Sequence, residues 1–88
     1  MPNPLFPLGQ VVATPGALEL EINFYPFLRR HQCGDWGDLE AEDKTENNFS
    51  AENGLRILSA YHTPGGAKFW IITEADRSVT TILLPEEY

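Results

Sequence analysis

The spacing of apolar and polar positions changes period near Leu55. Beyond it, residues 56–63, 68–75 and 79–84 are rich in Ile, Val, Thr, Tyr, Phe and Trp, and residues 63–66 and 76–78 separate them. Runs of this kind, broken by hairpin-length turns, predict a three-stranded antiparallel meander. In the middle run Phe69, Ile71 and Thr73 fall on one face, and Lys68, Trp70, Ile72 and Glu74 on the other. Bulk on both faces predicts a central strand, or one whose second face is partly covered.

Upstream the pattern is shorter. Residues 8–13 read as a short strand. Thr14-Pro15 then gives a helix start, an N-capping hydroxyl followed by a proline whose missing N–H is not needed there. Leu18 and Ile22, four apart, share one face of that helix, and Asn23 ends it. A second helix starts at Pro26 and stops at Gly34. Its Arg29, Arg30 and His31 lie in the last turn, where cations complement the helix dipole. Residues 34–37 form a turn, and Asp38 caps a third helix over about 39–53, stopped by Asn53-Gly54. Phe49 is its only large apolar side chain after Leu39. The helix therefore reads as a surface element, with Phe49 turned toward the body of the protein.

The first seven residues hold three of the seven prolines and predict an extended arm over 1–7. Residues 8–88 are then one α+β domain: a short N-terminal strand, two to three short helices, and the meander. The helices are expected on one sheet face. The core is expected to draw on Val12, Leu18, Ile22, Phe27 and Leu28 upstream, and on Trp36, Ile57, Tyr61, Phe69, Ile71, Ile82 and Leu84 downstream.

Charge narrows the partners. Six basic side chains against thirteen acidic ones leave a net charge of −7. Such a surface repels phosphate, so direct nucleic-acid binding is not expected and a basic protein partner is. No apolar run is long enough to span a bilayer, and the first residues lack the basic and apolar regions of a secretory signal. With a single cysteine, Cys33, an internal disulfide is excluded. A cytoplasmic protein without a membrane partner is the expectation.

Four groupings carry candidate chemistry. His31, Cys33 and Asp35, with His62 as a distant fourth, are residue types that bind zinc or build a small hydrolase site, but no paired Cys or His spacing supports either use. The segment 34–38 sets Trp36 between glycines, either as an anchor for a partner or as a plug folded back on the core. Glu74, Asp76 and Arg77 read as a hairpin with a solvated Asp–Arg pair rather than as an acid–base site. The strongest charge feature is residues 35–52, where Asp35, Asp38, Glu40, Glu42, Asp43, Glu46 and Glu52 face only Lys44. That run is a solvated helix, or a phosphate-like face for a DNA-binding protein. No catalytic residue, metal ligand or cofactor is assigned. The candidate binding residues are Trp36, Asp38, Glu42, Asp43 and Glu46.

Thr14-Pro-Gly-Ala-Leu-Glu, Arg30-His-Gln-Cys-Gly-Asp-Trp-Gly-Asp-Leu39, Trp70-Ile-Ile-Thr-Glu-Ala-Asp-Arg-Ser78 and the ending Leu83-Leu-Pro-Glu-Glu-Tyr88 resemble a family of small proteins encoded on bacterial plasmids and integrative mobile elements. The resemblance covers most of residues 8–88 and is weakest over residues 20–25. Some members carry a label taken from type I restriction enzyme subunits. A chain of 88 residues is too short for such a subunit and lacks a glycine-rich cofactor loop. The resemblance thus implies a mobile-element setting and no chemistry. Two functional readings follow: a non-enzymatic protein-interaction module, or a small hydrolase or metal protein built around His31, Cys33 and Asp35.

Overall fold

The apolar runs beyond Leu55 form the meander expected of them. The computed structural model describes residues 3–88, so the start of the predicted arm, Met1 and Pro2, lies outside the described residues. In chain order the elements are β1 (Gln10–Ala13), α1 (Pro15–Leu18), α2 (Tyr25–Gln32), α3 (Ala41–Asn53), β2 (Ile57–His62), β3 (Lys68–Thr73) and β4 (Val79–Leu83). A 3₁₀ turn over Pro85–Glu87 follows. The fold is α+β, as the sequence predicts.

The sheet has four strands in the order β1-β4-β3-β2. β2, β3 and β4 pair antiparallel, with Ile71 opposite Ser59 on one side and Ile82 on the other. β1 adds to β4 in parallel, Val11 opposite Thr80, so the sheet is mixed rather than wholly antiparallel. β3 is central, which explains why both its faces are apolar. On one face Tyr61, Phe69, Ile71 and Ile82 meet Ala17 of α1 and Phe27 and Leu28 of α2. On the other, Trp70 meets the ring of Tyr88 at 5.8 Å, and the Arg56 guanidinium lies 5.2 Å above that ring. The chain end thereby folds over this second face.

Several boundaries differ from expectation. α1 stops at Leu18, and Glu21 takes a positive φ of 53°. Asn23 does not end α1. Its Oδ1 accepts from the Tyr25 N–H at 3.1 Å and so shapes the entry to α2. With α1 this short, Ala17 is its buried residue and Leu18 is 62% exposed. Val12, on the edge strand, is also exposed; neither belongs to the core. Glu40, not Asp38, is the N-cap of α3, while Gly54 ends it in the left-handed conformation as expected.

Residues 3–7 of the predicted arm have no regular structure, yet they are not separate from the domain. The Leu5 N–H donates to Gln32 O at 2.8 Å, and the Gln32 amide donates to Phe6 O at 2.9 Å. Phe6 is buried with Trp36 and Ile57 in a second apolar cluster, which Leu8, Leu39 and Ala51 flank. Arg77 ties the β3–β4 hairpin to this region. Its guanidinium donates to the carbonyls of Leu55, Glu74 and Ser50 at 2.6–3.2 Å. The solvated Asp76–Arg77 pair is therefore not formed: Asp76 instead accepts from the Ser78 N–H and hydroxyl.

Candidate functional site

α2 delivers His31 to the inner face of the sheet, where the imidazole has no exposed surface. Three adjacent strands place hydroxyls there: Ser59 from β2, Thr73 from β3 and Thr80 from β4. The distances are 2.5 Å from His31 Nδ1 to Ser59 Oγ, 2.8 Å from Nε2 to Thr73 Oγ1, and 2.8 Å from Thr73 Oγ1 to Thr80 Oγ1. Thr80 Oγ1 donates to Leu8 O at 2.7 Å. A carbonyl only accepts, so the hydrogens run one way along the chain. Ser59 donates to Nδ1, Nε2–H donates to Thr73, and Thr73 donates to Thr80. Every member is satisfied with a neutral ring.

Burial, helped by the charge of Arg77, brings the His31 pKa down to about 3. His31 is therefore not the helix-end cation that its position in α2 suggests. The Ser59–His31 pair has the contact distance of a nucleophile and its base. Both residues are fully buried, however, with Phe6 and Trp36 edge-on to the ring at 5.2 and 5.9 Å. No substrate atom reaches it.

The remaining candidates for a hydrolase or metal site have separate partners. Asp35 holds Arg30 at 2.7 Å, and that bond keeps the Asp35 carboxyl below its ordinary range. His62 Nδ1 meets Asp38 Oδ2 at 2.6 Å on the surface. Among the described residues, no three His, Cys, Asp or Glu side chains converge as metal ligands. Treatment with a chelator is accordingly expected to leave the melting temperature unchanged. A drop of many degrees, with stoichiometric metal in the untreated protein, would restore the metal reading.

Trp36 is the plug, not an outward anchor. It is 3% exposed, stacks on Phe6 at 6.3 Å, and its indole N–H donates to Asn48 Oδ1 at 2.9 Å. The following residues, 37 and 38, lie against β2: Ala60 N–H donates to Trp36 O at 3.2 Å, and Asp38 N–H donates to Ala60 O at 2.7 Å. Gly37 has φ +77°, and a Cβ there would stand 1.9 Å from Ala60 O. Only glycine permits this approach.

The binding residues on α3 are placed differently. Glu42, Asp43 and Glu46 are exposed. Among the described residues no cation lies within ion-pair distance of them. Asn47 and Ser50 are the buried positions of α3. The Asn47 amide takes both backbone groups of Leu58, donating to its O at 2.7 Å and accepting from its N–H at 3.4 Å. A polar contact thus fixes the rotation of the helix and turns Phe49 outward, 58% exposed, against the expectation that it faces the body. At 100° per residue Glu42, Glu46 and Phe49 fall within an arc of about 60°.

Beside this stripe lies a groove of about 330 Å³, lined by the apolar Leu39 and Leu58, the carboxylates of Asp43 and Glu46, Arg56, and the polar Asn47 and Ser50. Of the five candidate binding residues, then, α3 brings together Glu42, Asp43 and Glu46. Asp38 is engaged with His62, and Trp36 is internal. Phe49, Leu39 and Arg56 are the additions. The signal for Phe49 was the absence of any apolar partner at helical spacing on α3. The chain matches no family model, no curated protein and no solved structure.

Proposed function

We propose that the chain is a non-enzymatic protein-interaction module that docks through the exposed face of α3. One observation carries this reading: an aromatic side chain stands in solvent within a stripe of carboxylates that have no cationic partner. A central aromatic anchor with a charged rim is the pattern of interface hot spots. The complementary surface is an apolar pocket bordered by Lys and Arg, and the groove beside the stripe takes one such basic side chain. Its stem would lie along Leu39 and Leu58, and its charge would meet Asp43 and Glu46. The resemblance to plasmid-borne proteins makes a basic DNA-binding protein the partner class we favour, with the acidic stripe in the place of phosphates.

Charge reversal of Glu42 and Glu46 to Lys tests this. The substitutions should leave the melting temperature nearly unchanged, because exposed charges contribute little to stability. They should slow association with the partner by roughly tenfold or more, and the wild-type rate should fall as salt rises. Phe49→Ala should act on dissociation instead, shortening the complex lifetime while sparing the fold. An affinity unmoved by both changes would reduce α3 to a solvated helix.

A further inference from the structure

The two edges of the sheet are treated differently. The outer edge of β2 is closed: Trp36 and Asp38 bond Ala60, and the Asn47 side chain takes both groups of Leu58. The outer edge of β1 is open. Gln10 N–H donates to Ser78 O and Thr14 N–H to Ile82 O, both at 3.0 Å, so even-numbered residues face β4. In a parallel ladder the intervening residues point the other way. The N–H and C=O of Val11 and Ala13 are therefore directed outward. The strand carries no charge, proline or bulge, the usual devices that protect an edge. Val11 and Val12 are 42% and 39% exposed, on opposite faces.

We propose that β1 pairs antiparallel with β1 of a second copy, joining two four-stranded sheets into one. The strand is self-complementary in one register. Val11 lies opposite Ala13 of the partner copy, each such pair exchanging both backbone hydrogen bonds. Val12 lies opposite Val12 at the two-fold axis, where side chains approach most closely. The pairing is bounded. Pro15 has no N–H to offer, and Gly9, with φ +66° and no room for a Cβ, which would stand 2.4 Å from Ser78 O, leaves the strand direction. So short a contact gives a weak dimer, with a dissociation constant of roughly 10 µM to 1 mM. Each copy carries −7, so added salt should tighten the pairing. Docking on α3 should show the opposite salt response, which keeps the two proposals distinguishable.

Amide hydrogen exchange of the wild-type chain at low micromolar and at millimolar concentration tests this directly. Protection of Val11 and Ala13 should rise with concentration, and sedimentation should show a monomer–dimer equilibrium. Val11→Pro removes an outward donor that β4 does not use, and Val12→Lys opposes two charges across the axis. Each should raise the dissociation constant roughly tenfold or more. Should the proline variant fold poorly, the lysine variant alone decides. A wild-type chain that stays monomeric at millimolar concentration would overturn the proposal. So would concentration-independent exchange at Val11 and Ala13, or a dimer that either folded variant leaves intact.

Discussion

Ile71→Asp is expected to abolish the cooperative fold. Ile71 has no exposed surface and sits mid-sheet, between Ser59 and Ile82 and under the α1–α2 layer. It packs within an apolar cluster, so the new carboxylate would be taken out of water there, at a cost of several kcal/mol. A domain of this length has about 5–10 kcal/mol of net stability. The variant should show the circular dichroism of an unfolded chain at pH 7 and no thermal transition. A cooperative melt within a few degrees of wild type would mean that β3 is not the centre of the core.

Acid should destabilise the wild type well before its carboxylates titrate, because of His31. The ring is neutral in the fold, with its pKa down to about 3 from an ordinary value of 6.5. A lowered histidine pKa means that protonation favours the unfolded chain. The contribution of His31 is therefore complete above pH 6.5 and is lost progressively as pH falls toward 3. By pH 5 the loss amounts to about 2 kcal/mol. The lowered carboxyls of Asp35, Asp76 and Glu87 act below their ordinary values of 3.8 and 4.5, and His62 is common to wild type and a His31 variant, so the difference between the two over pH 5–6.5 reports His31. Urea unfolding of wild type and His31→Gln across that interval checks this. The variant should be less stable at pH 7, with Ser59 or Thr73 poorly satisfied, and should show a much flatter pH dependence. Parallel curves would contradict a buried neutral His31.

The meander was legible because its information is local: two turns and three β-rich runs fix which strands pair. The place of β1 was not, because its parallel pairing joins residues 10–13 to 79–82, and no short-range pattern encodes that. The burial of His31 was hidden for a related reason. A histidine in the last turn of a helix reads the same whether it faces water or a sheet. The available clue lay elsewhere, in Ser59, Thr73 and Thr80, hydroxyls at inward positions of three neighbouring strands. On α3 the acidic residues were legible from composition, but the direction of Phe49 was not. Apolar spacing orients a helix in most readings, and here Asn47, through the backbone of Leu58, orients it instead. For Trp36 both outcomes could be written from sequence. The fit of Gly37 against Ala60 and the stacking of Trp36 on Phe6 select the internal one.

The proposal that α3 is a docking face is tested most directly by quantitative capture from cells that carry the gene. Tagged wild-type chain and the triple variant Glu42→Lys, Glu46→Lys, Phe49→Ala are compared at low and high salt. A basic protein should be retained in near-stoichiometric amount by the wild type at low salt. It should be released at high salt and be missing from the folded variant under both conditions. Equal recovery of the same proteins by wild type and variant would contradict it.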